Sequence, residues 1–307
     1  MITSFFSKSK PINFLIVFFI SFVALITAVV KYDSSGFTWD RVLPLGLVFG
    51  VSYLSILVID FIVSKNALTR KSNYEILLYS LFLLLVPQVF TNQDVVFSNL
   101  LILLALRRIV SVRSQKNVIK KLFDSGVLIG LASLVYFWSI LFFIVPILAL
   151  FYFNEQRLKT WLVPFLGVFT VGITAVAASV IINDTYFSYI NIAPQVDFDL
   201  SHYNSVQFIS AITMLLSFGL WSSIFYLKDL KTKTGTYKPS YKIVFVSCMV
   251  ASAILILAPN KNGSEFVFLF APLSVVITNY IETIEEKWFK DLFVILLFII
   301  PFALLVL

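Results

Sequence analysis

Charge is what this sequence has least of. Asp, Glu, Lys and Arg together supply 13% of 307 residues, against about 25% in a soluble domain. Cysteine occurs once, at Cys248, and histidine once, at His202. A lone cysteine excludes a disulfide within the chain and a cysteine-built zinc centre. Walker A sequences, glycine-rich phosphate loops and zinc motifs are all missing from the polar stretches, which argues against an ATP-driven pump in this chain. There is no polar stretch long enough for a soluble domain; the longest runs over 183–206. No strong internal repeat and no low-complexity tail stand out.

Apolar residues fill the space, at 60% of the chain, where soluble domains hold about 45–50%. They form eleven runs, roughly 12–30, 42–63, 74–90, 95–106, 125–136, 138–153, 161–182, 207–227, 242–258, 264–281 and 291–307. The runs are continuous, which excludes the alternating pattern of a membrane barrel. Inside a bilayer that leaves helices. The expected fold is therefore all-α: a polytopic transmembrane bundle of about eleven spans in a single integral-membrane domain covering 1–307. Runs four and five are shorter than the ~20 residues that cross an untilted path. Runs five and six join in the 29-residue "SGVLIGLASLVYFWSILFFIVPILALFYF", which predicts a hairpin near Tyr136–Trp138.

Charge sets the orientation. With the N-terminus cytoplasmic, 20 of the 23 cations fall in inside loops, and only Lys31, Arg41 and Lys261 fall outside. That asymmetry is the positive-inside pattern, and it places a multi-pass protein in a bacterial inner membrane. It also explains the net charge of +7 without nucleic acid. The most basic loop, "RRIVSVRSQKNVIKK", has no interleaved aromatic for base stacking. Its Ile109, Val110, Val112, Val118 and Ile119 predict an amphipathic helix lying on anionic headgroups over 107–121. The start, "MITSFFSKSKP", predicts an interfacial segment with Phe5 and Phe6 in the headgroups and Pro11 opening the first span. Asp60, the one acid well inside a run, is expected to pair with Lys65 or another cation.

The outer side is acidic, with Asp33, Asp40, Asp94, Asp184, Asp197, Asp199 and Glu265. As ordinary solvated charges these need no function. If they converge, a carboxylate at the mouth of a membrane cavity can serve as a general base or hold a divalent cation, the one cofactor this face invites. The most polar stretch, "QVDFDLSHYN" at 195–204, carries Asp197, Asp199 and His202. One imidazole and two acids are too few for a metal site by themselves. The interleaved Phe198, Leu200 and Tyr203 predict a loop packed over the outer mouth. Lys261, in "APNKNGSEF", could pair with the phosphate of a lipid-linked substrate.

Two resemblances add expectations. The opening "ITSFFSKSKPINFLI" resembles the start of an uncharacterised integral-membrane family of Bacteroidota, which implies no activity. Runs three to six resemble the GT-C polyprenol-dependent glycosyltransferases: a short span, a basic cytoplasmic loop, then "KKLFDSGVLIGLASLVYFWSILFFIVPILAL". That resemblance implies a catalytic carboxylate in the first outer loop, where Asp33 stands, and a second acid in the next, where Asp94 stands. It makes Lys261, His202, Asp197 and Asp199 substrate-binding residues around a polyprenol-phosphate-linked sugar. The chain departs from the family in its first outer loop of about ten residues and in having no soluble C-terminal domain. Three functions follow in order: a GT-C-like protein acting on a lipid-linked envelope precursor, a non-catalytic membrane scaffold with protein partners, and a secondary transporter.

Overall fold

The computed structural model describes residues 2–32, 39–70, 72–153, 157–189, 194–233, 235–259 and 261–306. Every regular element among them is helical. In order they are α1 (Ile2–Phe6), α2 (Pro11–Tyr32), α3 (Trp39–Asn66), α4 (Tyr74–Leu85), α5 (Gln93–Val110), α6 (Val118–Val135), α7 (Ile144–Tyr152), α8 (Leu158–Asn183), α9 (Val206–Thr232), α10 (Lys238–Leu257), α11 (Val267–Thr283) and α12 (Lys287–Val306). Pro11 is the first residue of α2, where its missing N–H costs nothing.

Each of the eleven apolar runs forms a helix, α2 to α12. Eight of these are long and apolar enough to cross a membrane: α2, α3, α5, α8, α9, α10, α11 and α12. Run four is not short after all. Arg107 and Arg108 continue the helix, arginine being a good helix former, and a 3-10 turn at Ser111–Ser114 extends the span to 22 residues. Helix α6 has 18 residues but opens with Lys120, Lys121 and Asp124. Helices α4 and α7 have 12 and 9 residues.

The chain divides into two compact units. In the first (1–96, 199–233 and 261–307), α4 and α11 lie at the centre. Every residue from 72 to 90 is buried, and α4 packs against α2, α3, α11 and α12. Phe270 of α11 meets Tyr79 and Phe82 of α4 with ring centroids 6.1 and 5.6 Å apart. The sequence "LLLVPQVF" explains why α4 stops. Pro87 clashes with helical backbone before it, so Val86 turns extended (φ −128°, ψ 76°) and a 3-10 turn follows at Pro87–Thr91. Such irregular backbone survives at membrane depth only when protein surrounds it, as it does here.

The second unit (97–198 and 234–260) rests on α6 against α8. Glycines make the approach possible: a Cβ on Gly126 would lie 2.3 Å from the Pro164 carbonyl oxygen, and one on Gly167 would lie 2.6 Å from that of Phe123. Small residues at a crossing are how membrane helices gain close van der Waals contact. Helix α6 ends at Tyr136, inside the predicted hairpin. The 3-10 turn that follows, Phe137–Phe143, packs against α6.

The surface helix expected over 107–121 does not form. Ile109, Val110 and Val112 are buried, and left-handed Gln115 and Asn117 (φ 52° and 54°) turn the chain sharply between α5 and α6. The apolar residues are used inside, where Val112 joins Leu122, Leu150 and Val163. The N-terminal expectation is half met: Phe5 is exposed, but Phe6 is buried.

Replacing Gly126 with Ala forces α6 off α8 and should cost about 1–3 kcal/mol, the range for overpacking. A melting curve of the purified protein should show the loss. Gly172→Ala, on α8 but with open space at its Cβ, should leave the midpoint unchanged or raised.

Candidate functional site

The first unit holds a cavity of about 610 Å³ where α2 ends, α3 begins and the chain enters α5. Its polar lining is Tyr32, Arg41, Asn92, Gln93 and Asp94, and Ala28, Leu45, Val48 and Phe90 are among its apolar lining residues. Asn92 caps α5, its Oδ1 accepting from Val95 N at 3.3 Å. Asp94 follows in the first helical turn, where the helix dipole favours a carboxylate. Its side chain is exposed, and Arg41 is half-buried. The site therefore combines a cation, a carboxylate and hydrocarbon in its lining, which suits an amphiphile.

Two glutamines fix the wall behind. The Tyr32 hydroxyl donates to Gln207 Oε1, which also accepts from Gln88 Nε2 at 2.9 Å. Gln88 sits in the 3-10 turn that Pro87 creates, and Gln207 in the first turn of α9. This link ties the end of α2 to the centre of the unit. Little in the sequence announces it. The signals were a proline-glutamine step interrupting a run and the isolation of Arg41 among outer residues.

The predicted residues divide as follows. Asp94 lines the cavity. Asp33 lies outside the described residues, as does the side chain of Asp40; Tyr32, the residue before Asp33, lines the cavity. Asp199 is fully exposed, and its Oδ1 accepts from Ser201 N at 2.8 Å. That bond holds its carboxyl below the usual aspartate range, helped by the Ser201 side chain and then by the charges of His202 and Lys261. His202 is exposed. Asp197 belongs to the second unit, where its N–H donates to Leu257 O at 3.1 Å.

The loop over 195–204 is anchored by one side chain rather than three. Tyr203 is buried, its ring 5.3 Å from Phe208 and 5.4 Å from Phe266, whereas Phe198 and Leu200 are exposed. Lys261 is buried, at 3% exposure, instead of standing free at a headgroup. Its charge acts on Glu265, whose carboxylate accepts from the backbone of Asn262 at 3.3 Å and Gly263 at 3.0 Å. These bonds make a closed turn around Gly263 (φ +92°), packed under the Phe208 ring.

Asp60 accepts from Asn73 Nδ2 at 3.3 Å, and Lys65 lies over the Phe61 ring at 5.1 Å. Of the expected cation partners, Lys65 is thus engaged with an aromatic ring, and Lys71 of the following loop lies outside the described residues. Among the described residues no group of three His, Cys, Asp or Glu side chains could hold a metal ion. The divalent cation that the acidic face invites thus has no built site among them.

An all-helical chain with eight helices of spanning length is a multi-pass membrane protein by class. Residues 3–307 match a family of unknown function (DUF6427), and the chain belongs to that family. No curated protein and no solved structure matches the chain.

Gly263→Ala should be costly, since its Cβ would fall 2.5 Å from the Phe208 ring and its φ suits glycine. The expected loss is about 1–3 kcal/mol, read as a lower melting midpoint. Adding Phe208→Leu should recover part of the loss and leave the backbone strain.

Proposed function

We propose that this protein acts on a lipid-linked sugar phosphate in the manner of the GT-C glycosyltransferases, at the cavity bounded by α2, α3 and the start of α5. The observation that carries the reading is the mixed lining of that 610 Å³ space, which combines Arg41, Tyr32 and Asp94 with apolar residues of α2 and α3. The basic loops lie in the cytoplasm of a bacterial cell and the cavity opens on the outer side of the inner membrane. This orientation rests on the distribution of the 23 cations.

In this reading Arg41 pairs with the polyprenyl phosphate, a match of planar guanidinium to phosphate oxygens. The apolar wall takes the first isoprene units. A carboxylate, Asp33 first and Asp94 second, accepts the proton of the acceptor hydroxyl. The acceptor oxygen then bonds to the anomeric carbon as its bond to phosphate breaks, and the polyprenyl phosphate leaves. Lys261, Asp197, Asp199 and His202 are no longer placed at the phosphate. Lys261 serves the Glu265 turn, and the loop around Tyr203 is a structural cover.

The test uses the full chain in lipid nanodiscs with a radiolabelled polyprenyl-phosphate sugar. Arg41→Ala should weaken binding roughly tenfold or more, the value of a charge-assisted hydrogen bond of about 1.5–3 kcal/mol. Asp33→Asn should leave binding intact and abolish transfer to an acceptor sugar, and His202→Ala should reduce transfer only several-fold. If Arg41→Ala and Asp33→Asn change neither binding nor transfer, the cavity is not a glycosyl site, and the scaffold reading replaces this one.

A further inference from the structure

Glu75 stands in the first turn of α4 and is 0% exposed. Neither of its carboxylate oxygens has a hydrogen-bond partner among the described residues. The Oδ1 of Asn73, two residues earlier, is likewise buried without a donor. An ionised carboxylate without water, donor or counter-ion is among the most unfavourable arrangements a protein interior can hold.

Among the described residues the surrounding elements bring no cation into contact with the Glu75 carboxylate. From α3 comes Asp60, bound to the Asn73 amide. From α11 comes Glu282, which accepts from Arg70 N at 2.8 and 2.9 Å and from Ser72 Oγ at 2.6 Å. From α12 come Asp291, which accepts from Thr3 Oγ1, and Lys290, which lies 5.5 Å over the Tyr74 ring. Helix α2 has ionisable side chains only at its far end, Lys31 and Tyr32, and α1 has none. The Arg70 guanidinium reaches the Glu282 carbonyl at 3.5 Å. Burial acts most strongly on the Glu75 carboxyl; its own backbone N–H favours the charged form in part, and Asp60 and Glu282 act on it as like charges.

This end of the unit is also closed. The Phe6 carbonyl accepts from Asn73 N at 2.9 Å, and the Thr3 carbonyl accepts from the Tyr74 hydroxyl, so α1 lies across the start of α4. Three buried oxygens here, both of Glu75 and Oδ1 of Asn73, have no donor among the described residues. A hard metal ion needs about six or more oxygens, and no three acids converge here among the described residues. A proton needs one.

We propose that Glu75 is a proton-binding site inside the helix bundle, with Asp60 as its acidic neighbour. One proton from water adds to one carboxylate oxygen, and the neutral acid becomes the O–H donor that this pocket lacks. Its release restores the carboxylate. Such a carboxyl is the element by which membrane proteins exchange protons. The site lies at the opposite end of α4 from the cavity, and it stands whether or not that cavity binds a sugar.

Dicyclohexylcarbodiimide enters apolar regions and reacts with protonated carboxyls, leaving a stable acylurea that peptide mass spectrometry locates. With the full chain in nanodiscs, the adduct is expected on Glu75, forming several-fold faster at mildly acid than at mildly alkaline pH. Sodium at constant ionic strength should not change the rate. Glu75→Gln should melt at the wild-type temperature and lose the adduct, and the wild-type mapping stands alone if that variant does not fold. No adduct on Glu75 at either pH, or equal rates at both, would overturn the proposal. Protection by sodium would replace the proton with a metal ion.

Discussion

The full burial of α4 is the constraint on which the first unit depends. A helix with one wet or lipid-facing side can leave polar groups to solvent or snorkel them to an interface. A helix enclosed on all sides must meet every polar demand from protein. At Pro87 the demand is met by the Gln88–Gln207–Tyr32 link. At Tyr74 it is met by α1, through Phe6 and Thr3. The cavity thus lies near one end of the same 12-residue helix, and the only large polar deficit described on that helix, Glu75, lies at the other.

Shortness gives this helix its consequences. Twelve residues rise about 18 Å, well under the ~30 Å of hydrocarbon. The 3-10 turn adds about 10 Å at ~2 Å per residue. Segment three is therefore a composite of α4 and the 3-10 turn, and at its break Gln207 Nε2 of α9 reaches the Leu85 carbonyl at 3.5 Å. The family match covers residues 3–307, so this composite lies within what defines the family. The glycosyltransferase reading is carried by the cavity lining and stands apart from that membership.

The sequence carried the helices well and their roles poorly. Continuous apolar runs located the helices α2 to α12 because a lipid-like environment and a protein interior demand the same side chains. For that reason the runs could not tell the buried α4 from the outward-facing α8, where Leu158 and Ile181 are more than 80% exposed. The amphipathic reading of 107–121 failed on this ambiguity: Ile109 and Val112 are apolar toward protein, not lipid. Asp94, which lines the cavity, was named from the sequence because the GT-C resemblance implies an acid in the second outer loop. Tyr32, Gln88 and Gln207 were not, because each is one polar residue in an apolar run and meets the others only after α2, α4 and α9 have packed. Glu75 was not singled out from the sequence, where it is one acid at the edge of an apolar run. Its burial comes from the helices packed on α4 and from the docking of α1 across its start, contacts with no local signal.

That docking also orders the assembly in time. Thr3 bonds Asp291 across a separation of 288 residues. Spans enter a membrane from the N-terminus as they are made, so the first helix synthesised finds its seat only after the last has been inserted. Until then the mouth of α4 stands open and the segment ahead of α2 is accessible from the side where it was made. Closure by α1 is therefore a mark of completion, and a truncated or mis-threaded chain would be recognisable by a loose N-terminus.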